Sequence, residues 1–395
     1  MSTLAAHWAL DPSLHLLNHG SYGAAPRAVL AAQAALTARI EANTHGFFNR
    51  ELEALVDAAR TEVARFVGVA PERFAFVRNA TEGVNAALMS LAPTLAPGDA
   101  LVCSDHGYNA CANVLRRVAE ARGAHVHTVN IGLDGCDADA VLGRFLGALG
   151  PRVRAVLVDH VTSPTGLIFP VVELARACAA RGVAVVVDGA HAAGLVDLAL
   201  DPLFDAGVSV YTGNLHKWTC APKGAAFIAA APDFQRALRP AITSHGANSP
   251  RTDRAPFWLE FDWCGTFDPT PWLCAPVALC TVAAMVPGGF GEVMARNNDL
   301  ARRGLRCLEA AGFAAVGPDA MRGPMASVVL GGLAPGQSLA FMHQLWRDHQ
   351  IEVPVIAMGD RALLRISAHL YNQLASYEHL ARVLPEALAR AARGL

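Results

Sequence analysis

Short apolar, β-rich runs alternate with helix-like windows through the middle of the chain. Such alternation predicts βαβ units, in which parallel strands form one sheet and the connecting helices cover its faces. We therefore expect an α/β fold with a mostly parallel, seven-stranded sheet sandwiched by helices. The predicted strands are Phe74–Arg78, Ala100–Cys103, His125–Val129, Ala155–Asp159, Ala184–Asp188, Val208–Thr212 and Ala225–Ala229.

The length of the chain predicts more than one domain, since 395 residues exceed what one small core needs. From Pro271 onwards helical patterns dominate, with short apolar runs between them. We predict a large domain over residues 26–270 and a smaller α+β domain over residues 271–395. The N-terminal segment, residues 1–25, is expected to pack with the smaller domain.

Composition and charge narrow the classes of function. Lys plus Arg, 32, nearly balance Asp plus Glu, 34, which gives no electrostatic basis for binding nucleic acid. The first residues lack a signal-peptide pattern, and no apolar run reaches the roughly 20 residues of a membrane span. The nine cysteines include no CxxC pair and are expected to be reduced. We predict a cytoplasmic protein with no nucleic-acid or membrane partner.

One lysine stands out in a chain whose positive charge is nearly all arginine. Lys217 follows a predicted strand, and burial beside apolar strands would lower its pKa, as a Schiff-base amine requires. Asp188 ends another apolar run, where a carboxylate can keep a pyridine nitrogen protonated. Taken alone, Lys217 could be a solvated loop lysine, and Asp188 a helix cap or metal ligand. The two features together are much more specific for a pyridine cofactor.

The motifs around these residues resemble a known enzyme family. The segments Asp188–His191 and Asn214–Lys217 look like class V of the fold-type I pyridoxal-phosphate enzymes, and most like its isopenicillin N epimerase-like branch. This resemblance implies fold type I, pyridoxal 5'-phosphate as the cofactor and an amino acid as the substrate. Further matching segments are Leu17–Gly23, Arg78–Asn85, Trp263–Asp268 and Leu364–Asn372.

The resemblance also assigns residues to the cofactor. It implies that Lys217 holds the cofactor in a Schiff base, that Asp188 contacts its ring nitrogen and that Tyr108 stacks on the ring. Backbone N–H groups at Ala80 and Thr81, between a strand and a helix start, suit a phosphate; a simple Thr81 helix cap is the alternative. The other implied cofactor contacts are His191, Ser163 (or Thr162), Asn214, His216 and Thr266.

Three implied contacts concern the substrate and a second subunit. Arg365 matches the arginine that binds the substrate's α-carboxylate, where a guanidinium offers two parallel hydrogen bonds. Asn18 is assigned to the same substrate site. Gly265-Thr266 resembles a motif that reaches the phosphate of the neighbouring subunit, which predicts a homodimer.

The expected chemistry begins with removal of the substrate's α-proton, for which Lys217 is the natural base. Epimerisation is the favoured outcome, while β-elimination, as in a C–S lyase, and transamination stay open. A cysteine desulfurase is disfavoured, because its nucleophilic cysteine would precede Arg365 and the last cysteine here is Cys307. Epimerisation also needs a proton donor opposite Lys217. Tyr108, His19 and His45 are candidates.

Two further functions find little support in the sequence. A metal site is not predicted, because His125 and His127 have no carboxylate or cysteine at ligand spacing. A non-catalytic cofactor-binding module of a DNA-binding regulator is disfavoured by the balanced charge and by a family match that begins at residue 17.

Overall fold

The structure, a computed structural model, describes residues 3–392 and contains a central seven-stranded sheet. All seven predicted runs are strands of this sheet. The strands are β1 His15–Leu16, β2 Phe74–Val77, β3 Ala100–Ser104, β4 His125–Val129, β5 Val153–Asp159, β6 Ala184–Asp188, β7 Val210–Asn214, β8 Ala226–Ala230, β9 Met325–Val329, β10 Ile351–Glu352, β11 Val355–Met358 and β12 Arg361–Ser367.

Helices cover both faces of this sheet and form most of the later part of the chain. A π-helical turn at Phe47–Glu51 joins the third and fourth helices. The helices are α1 His19–Tyr22, α2 Arg27–Ala42, α3 Thr44–Gly46, α4 Leu52–Phe66, α5 Ala80–Leu91, α6 Asn109–Ala121, α7 Ala138–Ala148, α8 Val171–Ala179, α9 Leu200–Asp205, α10 Pro232–Gln235, α11 Pro256–Phe261, α12 Thr270–Leu273, α13 Ala275–Ala283, α14 Gly289–Ala310, α15 Ser338–His349 and α16 Leu374–Ala392.

The central sheet has the strand order β2-β8-β7-β6-β5-β3-β4. Strands β3 to β7 run parallel, and β8 is antiparallel to both of its neighbours. The middle strands are buried on both faces, which explains why their sequences are continuous apolar runs. The predicted mostly parallel α/β fold is confirmed.

The smaller, C-terminal sheet is antiparallel, with the order β11-β12-β9. One of the short runs between the later helices, 351–355, is divided here, because Pro354 has no N–H to continue a ladder. The first part, β10, pairs with β1 and the second part, β11, pairs with β12. The three-part domain division stays a prediction, which the pairing of β1 with β10 supports; residues 1–2 and 393–395 of its outer parts lie outside the described residues.

Two observations bear on the predictions about metal and membrane. His125 and His127 lie exposed on β4, the strand at one edge of the sheet. Within residues 3–392, no helix combines the length and the apolar character that crossing a bilayer requires.

Candidate active site

Polar side chains meet where the parallel strands of the central sheet end. Asp159 and Asp188 end the neighbouring strands β5 and β6 and are paired in register. Asn214 ends β7, the next strand in the sheet. The carboxyl ends of parallel strands are where open α/β sheets bind ligands. This edge of the sheet is therefore the candidate active site.

Lys217 lies three residues beyond the end of β7, with its Nζ 3.1 Å from His191 Nε2. Burial and the nearby Arg365 guanidinium lower the pKa of Lys217 to about 7, although Asp188 opposes the shift. The chain has only one other lysine, Lys223. Its Nζ donates to the Gly23 carbonyl, and it does not line the cavity that contains Lys217. Lys217 is thus the one lysine of the chain that is placed to hold a cofactor there.

Asp188 is buried and held in a fixed orientation. Its Oδ1 accepts the Ala190 N–H at 3.0 Å, and its Oδ2 accepts the thiol proton of Cys111 at 3.1 Å. Burial raises the pKa of Asp188, while Lys217 acts in the opposite direction. Burial and the Asp188 carboxylate raise the pKa of Asp159 well above its usual value. A cationic group beside Asp188, such as a protonated pyridine nitrogen, would offset this cost.

The start of helix α5 differs in one respect from the sequence-based expectation. The Ala80 N–H donates to Asn214 Oδ1 at 2.8 Å, so it is not free for a phosphate. The helix is capped by Asn79, whose Oδ1 accepts the Glu82 N–H at 2.9 Å, rather than by Thr81. The Thr81 N–H and hydroxyl make no hydrogen bond to any described residue. Of the predicted pair, Thr81 alone offers free donors to an anion at this helix end.

Two histidines face the same space as Lys217. His191 is buried, and its Nδ1 has no partner among the described residues. His216 directs Nδ1 at the Ala225 carbonyl at 3.2 Å, so this nitrogen carries the proton and Nε2 is the free one. Burial lowers the pKa of His216 to about 4. A bound phosphate dianion would favour the protonated ring, in which Nε2 becomes a donor.

Tyr108 and Ser163 lie at the border between cofactor and substrate space. Tyr108 directly precedes helix α6, and its side chain is 46% exposed, so its ring is open to the cavity. Ser163 lines the same cavity. Thr162, the alternative to Ser163, is buried and bonded within its own turn through Thr165 and Leu167.

Arg365 extends from β12 towards this site and is almost fully buried. Its Nη1 donates to the Ser163 carbonyl, and its Nη2 donates to Ser21 Oγ at 2.9 Å and to Asn18 Oδ1 at 3.5 Å. Burial lowers the pKa of Arg365 to about 10. No described carboxylate pairs with this guanidinium, and its Nε has no partner. A buried cation without a counter-ion is a suitable receptor for an external carboxylate.

A cavity of about 160 Å³ brings most of the predicted cofactor residues together. The groups that face it are a carboxylate suited to a ring nitrogen, an amine, free hydrogen-bond donors for a phosphate, and a histidine nitrogen without a partner among the described residues. This donor set fits a phosphorylated pyridine aldehyde. The residues that line it are Ser21, Tyr22, Asn79, Ala80, Thr81, Tyr108, Asp159, Val161, Ser163, Asp188, Ala190, His191, Asn214, His216 and Lys217.

Thr266 does not line this cavity. It is exposed and borders a separate outer cavity of about 850 Å³, together with His45. His45 thus lies outside the Lys217 cavity of its own chain, and as a proton donor it would have to act, like Thr266, on a neighbouring subunit. The predicted contact of Thr266 with a neighbouring subunit stays a prediction.

A group of possible metal ligands lies behind Lys217, where His19, Cys220 and His369 have ligand atoms within 4.8 Å of one another. His19 Nε2 lies 3.0 Å from the Lys217 carbonyl, which can only accept, so this nitrogen carries a proton and is not a free ligand. Its Nδ1 lies 3.0 Å from the Tyr371 hydroxyl. Both nitrogens of His19 are therefore engaged, and its role is to fix the backbone at Lys217.

Several residues of the site were missed by the sequence analysis. Cys111 was treated only as one of nine reduced cysteines, and Ser21 only as part of a motif. Asp159 carried a readable signal, because it ends an apolar run just as Asp188 does. Ser21 and Cys111 carried none, since their contacts join segments that are far apart in the chain.

Comparison with known proteins identifies relatives along nearly the whole chain. The profile of the aminotransferase class-V family matches residues 17–378. An isopenicillin N epimerase of Amycolatopsis lactamdurans is 36% identical, over 96% of this chain and 96% of the relative. A probable chloroplastic L-cysteine desulfhydrase of Arabidopsis thaliana is 27% identical, over 94% and 82%. A solved C-DES variant with glycine covalently linked to its PLP cofactor has a TM-score of 0.80 at 21% identity, over 96% and 97%.

Proposed function

The chain belongs to the class-V aminotransferase family, and from this premise we propose that it epimerises the α-carbon of an amino-acid substrate. Its cofactor is pyridoxal 5'-phosphate, which, when bound, acts as an electron sink that lowers the barrier to losing the α-proton. One observation carries the proposal. The Lys217 amine, whose lowered pKa favours the neutral form, lies in one cavity with Asp188 and near Arg365.

Each residue has a role in this proposal. Lys217 holds the cofactor and, once released from it, takes the α-proton, since a lowered pKa favours the neutral amine. Asp188 keeps the ring nitrogen protonated. Thr81 and His216 hold the phosphate at the N-terminal start of α5. Arg365 binds the α-carboxylate, with its guanidinium oriented by Ser21 and Asn18.

Epimerisation requires a second acid on the face opposite Lys217, and we assign this role to Tyr108. Burial raises the pKa of Tyr108, so its hydroxyl stays protonated and can donate. It lines both the cofactor cavity and the adjoining substrate space. His19 is unsuited to this role, because both of its ring nitrogens are engaged behind Lys217.

A C–S lyase that removes sulfur by direct β-elimination is the second candidate, supported by the similarity to a desulfhydrase. A persulfide-forming desulfurase is disfavoured. Burial raises the pKa of Cys111, which donates to Asp188, of Cys103, which lines the space beside Lys217, and of Cys220, so none of the three is a thiolate. No cysteine follows Cys307 in the chain.

The test follows the α-proton. The holoenzyme is incubated in D₂O with isopenicillin N or with L-cysteine, and deuterium uptake, inversion, pyruvate and sulfide are measured. We expect deuterium at the α-carbon of isopenicillin N with inversion, and no pyruvate. Stoichiometric pyruvate and sulfide from cysteine, without inversion of either compound, would overturn the proposal in favour of the lyase.

The variant Tyr108→Phe distinguishes proton transfer on the Lys217 face of the substrate from proton transfer on the opposite face. It removes the acid opposite Lys217 and leaves the lysine, so inversion should fall by about 100-fold or more while exchange on the lysine face continues. Lys217→Ala should abolish both, and Lys223→Ala, which changes a lysine outside the site, should change neither. Equal inversion by Tyr108→Phe and the unaltered enzyme would exclude Tyr108 as the donor.

We further propose that the protein is a cytoplasmic homodimer without a nucleic-acid partner. Support for the dimer comes from Gly265-Thr266, which resembles a subunit-bridging motif and borders an open outer cavity. The free state of all nine cysteines supports the location, and the balanced charge speaks against a nucleic-acid partner.

A further inference from the structure

A groove of about 560 Å³ continues from the candidate active site towards solvent. Lys217 and Arg365 lie at its inner end. Helix α6 forms one wall, and strand β11 with the residues on either side of it forms the other. A cysteine-sized substrate would leave most of this space empty, because ligands usually fill most of the pocket that binds them.

One face of helix α6 points into this groove. Asn109, Ala112 and Arg116 all line it, with the three- and four-residue spacing that places side chains on the same side of a helix. Arg116 lies two turns beyond Asn109, or about 10 Å along the helix axis at 1.5 Å per residue. The groove therefore runs from the amine and carboxylate receptors at its inner end towards an arginine at its outer end.

Four charged side chains line the groove: Asp105, Arg116, Lys217 and Arg365. Asp105 is already occupied, because its two oxygens accept the N–H groups of Ile131 at 2.8 Å and Gly132 at 3.1 Å. It is thus not free to bind a cation of the substrate.

Arg116 is exposed and makes one side-chain hydrogen bond, to Asn113 Oδ1 at 2.8 Å. Throughout residues 3–392 no carboxylate lies within ion-pair distance of its guanidinium. The remaining donors of this planar, permanently charged group are available to an external anion.

We propose that Arg116 binds a second anionic group, at the far end of the substrate's side chain. Arg116 is then a specificity-determining residue. The substrate class is an amino acid with a long side chain that ends in a carboxylate. This inference rests on the proposed function, since it takes the α-carbon to be held between Lys217 and Arg365.

The test compares two probes that differ only in distal charge, L-2-aminooctanedioate and its ω-monoamide. Exchange of the α-proton is measured in D₂O with the unaltered holoenzyme, Arg116→Gln and Arg117→Gln. Arg117 is the matched control, because it is an exposed arginine of the same helix that does not line the groove. We expect the unaltered enzyme to favour the diacid by about fivefold in kcat/KM, mainly through KM, as an exposed ion pair allows.

Arg116→Gln should remove this preference by weakening binding of the diacid alone, and Arg117→Gln should retain it. Equal rates for the two probes with the unaltered enzyme, or an unchanged preference in Arg116→Gln, would overturn the inference while leaving the proposed function intact. Failure to exchange the α-proton of either probe or of isopenicillin N would instead overturn the proposed function.

Discussion

At the scale of single residues, the unusual property of the site is the acidity of the Lys217 ammonium. An ordinary lysine is protonated up to a pKa of about 10.5, but burial and the charge of Arg365 lower the pKa of Lys217 to about 7. The neutral amine, which is the form that reacts with an aldehyde, is therefore populated near neutral pH. Lys223 has no such neighbouring arginine.

This difference predicts how the apoprotein takes up its cofactor. Because only the neutral amine reacts, the uptake rate should rise with pH through about 7 and level off above it. The visible absorption of bound cofactor, followed in time at different pH values, measures this rate. Arg365→Gln should move the midpoint to higher pH, and Lys223→Arg should not move it. A rate that keeps rising towards the pKa of about 10.5 of an ordinary lysine would contradict the account.

Sequence reasoning singled out Lys217 and Asp188 because strand-end positions can be read from apolar runs. It could not show that the Ala80 N–H is occupied. The acceptor, Asn214 Oδ1, comes from a residue 134 positions away, so the contact depends on how β2 and β7 are placed in the sheet. Contacts of this kind are set by tertiary packing, which no local pattern records.

At the scale of elements, the phosphate end of the site depends on how closely helix α5 approaches β7. Gly83 makes the approach possible, because a Cβ at this position would lie 2.1 Å from Thr212 Oγ1. Thr212 cannot easily move, since its hydroxyl donates to the Phe227 carbonyl at 2.7 Å. The first turn of α5, which carries Thr81, is therefore positioned by packing against the sheet.

The substitution Gly83→Ala should push α5 away from the sheet. We expect a loss of about 1–3 kcal/mol in the free energy of unfolding, as for other overpacked cores, and weaker cofactor binding. Gly143→Ala is the control, because Gly143 lies in a helix with no atom near an added Cβ, and it should be neutral or slightly stabilising. Urea unfolding and cofactor titration measure both effects. Equal stability of the two variants would show that the helix is not held by this contact.

The secondary-structure elements were the most predictable feature of the molecule. The division of one short run between two sheets was not predicted, and it has a local cause. All seven strands of the central sheet were predicted within a few residues, because buried parallel strands have continuous apolar sequences. The run 351–355 is one of the short runs that separate the later helices. Pro354 divides it between two sheets, and the partner of each half, β1 or β12, is chosen by the tertiary fold.

At the scale of the whole molecule, the fold brings residues from both ends of the chain to one site. Asn18 and Ser21 precede the central sheet, and Arg365 comes from the last strand, yet their side chains are in contact. The groove between α6 and β11 forms only because the fold brings a helix beside the central sheet next to a strand of the C-terminal sheet. Family resemblance predicted Arg365 and Asn18, whereas Arg116 became visible only through the shape of the groove.

In the proposed dimer, Thr266 contacts the cofactor phosphate of the neighbouring subunit. We expect sedimentation equilibrium to give twice the monomer mass, and Thr266→Ala to weaken cofactor binding by about tenfold without dissociating the dimer, as the loss of one hydrogen bond to a charged group would. Thr37→Ala is the control, since Thr37 borders the same outer cavity but donates to the Gln33 carbonyl. A monomer that binds cofactor at full affinity would contradict the dimer proposal.

The central claim is that Lys217 holds the cofactor, and the chain offers a direct test because it contains only two lysines. The holoenzyme is reduced with borohydride, which fixes the cofactor to its lysine, and is then digested and mapped by mass spectrometry. We expect a pyridoxyl group on the peptide that contains Lys217, and none after Lys217→Arg. A pyridoxyl group on Lys223, or on neither lysine, would contradict it.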